Sequence, residues 1–279
     1  KWDAERNVTE FIAAMPEWRA HGLLAVTVNF QGGSPYGYSK SQPWENSGFD
    51  PDGHLRPAFA DRMERVIRRA DELGMVVILG CFYFGQDQRL TDEAAVIRAT
   101  DEVANWVLDH GWQNVLIEVN NEANVRYDHD ILRPQRVHEL IERMKGITRD
   151  GRRLLVSTSF GGGSVPTANV IASADFLLIH GNGIKTAEAM RTFLAKVKRA
   201  RGERNVPIVV NEDDHFEFDQ ADSNFDAATQ AHVSWGFFDY RMKGEDAEEG
   251  YQSVPVNWGI SSQRKKGFFE KLKEITGAE

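Results

Sequence analysis

The chain has 279 residues, with 33 Lys+Arg against 42 Asp+Glu, one Cys and 41% hydrophobic residues. That length suits one large or two small domains, and the apolar fraction supplies a real core, which sets aside a largely disordered chain. A formal charge of −9 argues against nucleic acid, where a basic face is expected, and no apolar run is long enough to span a membrane. The lone Cys81 excludes a disulfide framework and any Cys-rich zinc module, yet leaves the compartment open, because exported proteins can lack disulfides. A secreted or periplasmic location is marginally preferred. Lys1-Trp2-Asp3 shows neither an initiator Met nor an apolar signal segment, which points to a processed or trimmed chain.

In chain order, a helical pattern opens the sequence at Val8, Phe11, Ile12, Met15 and Trp18, followed by a strand-like run at Leu23–Phe30. Further short aliphatic runs fall at Met75–Phe82, Asn114–Asn120, Arg153–Ser159, Asp175–His180, Pro207–Asn211 and Trp235–Tyr240. Between them apolar residues recur at i, i+3, i+4 and i+7, as in Phe59, Met63, Val66, Ile67 and Ala70, then Val137, Leu140, Ile141 and Met144, then Met190, Phe193, Leu194 and Val197. Thr91 ahead of Asp92-Glu93 reads as a cap, and Pro134 as a first helical turn.

Near-continuous apolar strands separated by amphipathic helices predict a parallel sheet covered on its outside. A (β/α)8 barrel needs about 250 residues. It competes with an open doubly wound sheet, but no G-x-G-x-x-G or phosphate-loop signature follows any strand, so the barrel is preferred. Its first strand then lies upstream of Lys1 or unrecognised in Lys1–Asn7, and the visible strands occupy positions two to eight. No linker, low-complexity tract or repeat interrupts residues 1–279, so a single barrel domain is the economical reading. Long connections leave the strands at Gln31–His54, Glu122–Arg133, Asp213–Asn224 and Asp239–Ser261, as expected if the site lies at the strands' C-terminal ends. The first of these carries Tyr36, Tyr38, Trp44 and Phe49, aromatics that could stack on sugar faces or simply pin down the loop.

Two strand ends carry carboxylates. Val115-Leu116-Ile117-Glu118-Val119-Asn120-Asn121-Glu122 puts Glu118, Asn120 and Glu122 on one face by alternation, with Glu122 at the mouth. Ile208-Val209-Val210-Asn211-Glu212 ends the same way. A strand-end Glu can merely bond loop amides or pair with Arg. Two of them across a pocket are what glycoside hydrolysis requires, one protonating the departing oxygen while the other attacks or activates water.

This arrangement resembles the retaining glycoside hydrolases of clan A, (β/α)8 barrels with an acid/base Glu after strand four and a nucleophile Glu after strand seven. The resemblance rests on Glu118-Val119-Asn120-Asn121-Glu122 and on the strand ending at Glu212. It implies that Glu122 is the acid/base, with a raised pKa, and that Glu212 is the ionised nucleophile. It further implies that Asn121 holds the sugar's 2-hydroxyl, that His180 stands beside the nucleophile and that Trp235 supplies an aromatic floor. Asn29, Trp44 and Tyr36 complete the expected substrate contacts, with a carbohydrate as partner, no cofactor and no metal. The chain departs from the pattern in Ala123 after the acid/base, in Asp213-Asp214 after Glu212, and in Asn29-Phe30-Gln31, which lacks the Arg of some relatives. No particular family, sugar, linkage or oligomeric state can be read.

Other motifs carry less. Asp213-Asp214-His215 and Asp128-His129-Asp130 have hard-metal ligand types without calcium-loop spacing. Gly161-Gly162-Gly163 reads as a turn, and Ser157-Thr158-Ser159 lacks the G-x-S-x-G context of a serine hydrolase. Two other functions stay open: a catalytically silent barrel that binds carbohydrate through its aromatic loops, and a metal-dependent, amidohydrolase-like barrel.

Overall fold

The computed structural model describes residues 3–33, 44–252 and 254–278. Helix α1 (Ala4–Ala20) comes first, capped by Asp3, whose side chain accepts from the Arg6 amide at 3.0 Å. There follow β1 (Ala25–Asn29), α2 (Pro57–Glu72), β2 (Val76–Phe82), α3 (Glu93–Asp109), β3 (Val115–Asn120) and α4 (Val137–Gly146). A two-residue antiparallel hairpin, β4 (Thr148–Arg149) with β5 (Arg152–Arg153), precedes β6 (Leu155–Ser157). Then come α5 (Ala168–Ser173), β7 (Leu177–His180), α6 (Ala187–Arg201), β8 (Ile208–Asp213), α7 (Asn224–Gln230), β9 (Ser234–Phe237) and α8 (Gln263–Thr276).

Strands β1-β2-β3-β6 pair in parallel, as do β7-β8-β9. Between the two groups the Asp175 amide donates to Val156 O at 3.0 Å and Ser157 Oγ to Phe176 O at 2.6 Å. Strand–helix alternation continues throughout, and the architecture is a (β/α) barrel rather than an open doubly wound sheet. All seven runs read as strands are strands among the described residues. No helix among those residues is long and apolar enough to cross a membrane.

The apolar residues divide into two layers. A large outer core, including Ile67, Leu79, Val103, Ile117, Ile141, Leu194 and Val210, fills the space between sheet and helices. A small inner cluster of Ile78, Phe176 and Leu178, with Leu116 and Val209 against it, fills the barrel interior. Consecutive side chains on a strand thus serve different layers, as the two-residue period requires.

Three local expectations are corrected. The cap of α3 is Asp92, accepting from the Ala95 amide at 2.8 Å, whereas Thr91 bonds Pro51 O. A carboxylate one residue closer to the helix reaches the orphaned amide better. Pro134 lies in the turn before α4, which starts at Val137. The last strand stops at Phe237, short of Tyr240.

Candidate active site

Strands β3, β7 and β8 bring Glu122, His180 and Glu212 together at their C-terminal ends. His180 Nδ1 lies 3.1 Å from Glu122 Oε1 and 3.4 Å from Glu212 Oε2. One oxygen of each carboxylate and one ring nitrogen all lie within 4.8 Å of one another. Asn121 Nδ2 donates to Glu212 Oε1 at 3.0 Å and Asn182 Nδ2 to Glu212 Oε2 at 3.1 Å. Glu122 Oε1 and Glu212 Oε2 are thus joined through one imidazole atom.

Local backbone geometry makes this convergence possible. Alternation places Asn120 in line with Glu118 and Glu122, but its side chain is spent elsewhere: Nδ2 donates to Leu132 O at 2.9 Å and Oδ1 accepts from Thr158 Oγ1 at 2.6 Å. Instead the neighbours Asn121 and Glu122 both reach the mouth, because the chain turns at Glu122, whose φ is 53°. The left-handed region is costly for a residue with a Cβ, about 1–3 kcal/mol. The turn is held by Asn121 N–H to Phe82 O, Ala123 N–H to Ser159 O, Glu122 N–H to Ser159 Oγ at 2.8 Å, and the Tyr127 hydroxyl on Asn121 O. On β8, register shifts beside His180 and again between Val210 and Asp213 set Glu212 opposite His180.

The glycine run after β6 has a packing reason. A Cβ on Gly162 would stand 2.0 Å from Asn182 O, and one on Gly161 would touch Glu122 Oε1 at 3.4 Å. Gly163 N–H donates to His180 O at 3.0 Å. The bare loop can therefore lie against the strand end that carries His180 and Asn182.

The electrostatics are those of a buried, crowded cluster. Burial depresses the His180 pKa, but the surrounding carboxylates of Glu212, Glu122 and Glu118 outweigh it and lift the imidazole to about 9. The ring is a cation at neutral pH, serving an ion pair. Burial pushes Glu212 up, against the pull of His180 and the amides of Asn182 and Asn121. Glu212 was expected to stay ionised; here burial outweighs the support its carboxylate receives from His180, Asn182 and Asn121, and its pKa lies above the ordinary carboxylate range.

Other expected contacts are distributed unevenly. Asn29 sits one layer deeper, its Oδ1 occupying the space that a Cβ on Gly80 would need, level with Glu118. Trp44 is half-buried, and its carbonyl accepts from Gln86 Nε2 at 2.8 Å and Arg89 Nη2 at 2.7 Å. Tyr36 and Tyr38 lie outside the described residues. Trp235 was expected as an aromatic floor for the sugar. Its ring stacks on Phe225 of α7 at 4.6 Å and 17°, with Phe218 and Phe268 around it, within the outer core. On β9, alternation turns Trp235 and Phe237 towards the helices and leaves Ser234 and Gly236 to face inward. Its indole N–H donates to Asp213 Oδ2 at 2.8 Å.

Asp213 is thereby a structural hub, also accepting from Asn224 Nδ2 at 3.0 Å and lying 2.7 Å from His215 Nδ1. Asp213, Asp214 and His215 have the spacing to hold a metal ion, as do Glu122, His180 and Glu212; in both groups charge pairing and hydrogen bonds already account for the arrangement. Asp128 and His129 serve a different purpose, their amides donating to buried Asp87 Oδ2 at 2.8 and 3.1 Å. Sequence reasoning missed Asn182 altogether. Its one signal was position, two residues beyond a strand-end His.

No protein-family profile and no curated protein matches the chain. Solved structures do share its fold. A glycoside hydrolase family 5 enzyme from Prevotella bryantii B14 aligns with TM-score 0.61 at 12% identity, covering 95% of this chain and 86% of its own. A GH5-4 broad specificity endoglucanase from Ruminococcus flavefaciens aligns with TM-score 0.64 at 11% identity, covering 95% and 87%. Cel5A of Thermotoga maritima, solved with mannotriose, aligns with TM-score 0.60 at 14% identity, covering 94% and 89%. The likeness to these glycoside hydrolases is one of fold.

Proposed function

We propose that the protein is a retaining glycoside hydrolase that cleaves β-glycosidic bonds in a polysaccharide, oligosaccharide or small glycoside. Glu122 is the acid/base and Glu212 the nucleophile. The observation that carries this reading is the approach of the two carboxylates within 4.8 Å, oxygen to oxygen, at the ends of β3 and β8. Retaining enzymes hold their carboxyl groups about 5–5.5 Å apart, whereas inverting ones leave roughly 6.5–9.5 Å for a water.

In the first step Glu122 passes its proton to the glycosidic oxygen as a Glu212 oxygen bonds the anomeric carbon and the bond to the leaving group breaks. In the second, Glu122 takes a proton from water, the water oxygen bonds the anomeric carbon from the opposite face, and Glu212 leaves as carboxylate. Two inversions return the starting configuration. Asn121 and Asn182 orient Glu212, and an Asn121 amide so placed can also meet the sugar's 2-hydroxyl. Cationic His180 offsets the charge of whichever carboxylate is ionised. The route needs no cofactor.

A β-glucan or β-mannan is the substrate class we favour. The Prevotella enzyme has been solved with a xyloglucan tetradecasaccharide and the Thermotoga enzyme with mannotriose. The test is hydrolysis of a panel of β-glucans, β-mannans and aryl β-glycosides, with the first-formed anomer read by proton NMR. The β-anomer is expected, and chelator should leave the rate unchanged. An α-anomer as first product would overturn the double displacement, and chelator-abolished activity would favour a metal-dependent barrel. Sugar binding by calorimetry without hydrolysis would favour the silent carbohydrate-binding alternative.

A further inference from the structure

Asn182 reaches Glu212 from a four-residue turn, Gly181–Ile184, that follows β7 and is closed by Ile184 N–H to Gly181 O at 2.9 Å. Both ends of the turn are fastened. Gly181 N–H donates to Glu212 O at 2.7 Å, and Asn224 Nδ2 donates to Ile184 O at 2.7 Å and to Asp213 Oδ2 at 3.0 Å. The local sequence leaves the central peptide, between Asn182 and Gly183, undecided. In such a turn that peptide has two orientations, which correspond to opposite signs of φ at the third residue. Gly183 occupies that position with φ 79°, and a glycine populates either sign about as readily. A flip would tilt the Asn182 Cα–Cβ bond and carry Nδ2, two bonds further out, away from its place.

Two contacts decide the orientation. Asp214 Oδ1 accepts from the Gly183 amide at 2.9 Å. At the other end of the same peptide Asn182 O lies against Gly162, where a Cβ would stand 2.0 Å from it. A flipped peptide would withdraw the donor from Asp214 and turn a carbonyl oxygen towards its carboxylate. The Asp214 side chain is 25% exposed, so the core does not depend on it. Its Oδ1 lies 3.4 Å from His215 Nδ1, but that nitrogen has a nearer partner in Asp213 Oδ1 at 2.7 Å.

We infer that Asp214 is a positioning residue: by holding the Gly183 amide, with Gly162 giving room to the carbonyl opposite, it fixes the peptide orientation that keeps Asn182 Nδ2 on Glu212. This rests on the glycosidase reading above. Asp214 acts through Asn182 and not on the sugar, which sets the form of the test. Asp214→Ala should lower kcat about 3- to 10-fold with KM nearly unchanged, because attack by Glu212 and not sugar binding depends on it. Asp214→Asn, which keeps an acceptor oxygen, should recover most of the loss. In an Asn182→Ala background, Asp214→Ala should cost nothing further, since the group it positions is gone. A general loosening of the loop would instead add to the Asn182→Ala loss, and additive losses would overturn the inference.

A second readout needs no substrate. By NMR the Gly183 amide should exchange slowly in the wild type, and the two Asn182 side-chain amide protons should be shifted apart by the bond to Glu212. Asp214→Ala should speed the exchange and bring the Asn182 signals together. Asn182 signals unchanged in that variant would overturn the inference. If Asp214→Ala does not fold, Asp214→Ser, whose hydroxyl is too short to reach the Gly183 amide, must show the same changes. A wild type that cleaves no glycoside, with the Asn182 signals still altered in Asp214→Ala, would sink the glycosidase reading and leave the link from Asp214 to Asn182 standing.

Discussion

Asn182 donates to Glu212 Oε2 at 3.1 Å from the first turn beyond β7, a strand different from the one that carries Glu212. With Asn121 on the other oxygen, it leaves the Glu212 carboxylate little freedom to rotate. Burial makes that carboxylate reluctant to ionise, and the two amides and the imidazole offset the effect only in part.

The two Glu residues should differ in how they fail. Glu212→Ala removes the attacking atom, and turnover of every substrate should collapse. Glu122→Ala removes proton transfer, about 10²–10⁴-fold, least with an activated phenol leaving group that needs no proton. Added azide should rescue both, giving a glycosyl azide of retained configuration from Glu122→Ala and of inverted configuration from Glu212→Ala. Identical behaviour of the two variants, read by product NMR, would mean that the pair is misassigned.

Removing one donor to a charged group costs about 1.5–3 kcal/mol, and the corresponding loss in rate is about 10- to 100-fold. Asn182→Ala should therefore lower kcat/KM by that factor with thermal stability nearly unchanged. Steady-state kinetics beside a melting curve checks both halves.

Stability should fall with rising pH from neutrality. His180 has a folded pKa of about 9, above its ordinary value. Its contribution is complete below about 6.5 and is lost as pH rises through the folded value. Glu118, lifted to about 7, acts in the same direction at lower pH, since ionisation favours the unfolded chain once its ordinary pKa is passed. Urea unfolding between pH 5 and about 9.5 should show the decline, and His180→Gln should flatten its upper part. A flat wild-type profile would contradict the cationic ring.

Trp235→Ala should act on folding before it acts on turnover. The ring is stacked on Phe225 and bonded to Asp213, and truncating a packed aromatic costs about 3–5 kcal/mol. Trp235→Phe should keep most of the stacking and lose the Asp213 bond. Full stability in the alanine variant with lost sugar binding would return Trp235 to the role first expected of it.

The strands and the amphipathic helices were legible because burial on both sides of a parallel sheet forces aliphatic runs, and helix packing forces a stripe. The carboxylates at Glu122 and Glu212 were legible for the same reason, as polar interruptions at the ends of such runs. What could not be read was any departure from the two-residue period. Asn120 leaves its row and Asn121 enters the mouth because Glu122 adopts a left-handed turn that no local residue announces. Trp235 was assigned by its position near a strand end, but which face it takes depends on the register of β9 against β8. Asn182 acts from a loop, where no periodicity exists to mark it.

The left-handed backbone at Glu122 has a consequence for how this protein should respond to selection. A Glu there accepts backbone strain and a second carboxylate nearby, and both disadvantages vanish in Glu122→Gly, which relaxes into a positive φ without penalty. Screened for thermal tolerance alone, a library of this chain should drift towards glycine or asparagine at position 122 and become inert. Screened for hydrolysis, it should keep Glu122 and accumulate stabilising changes elsewhere.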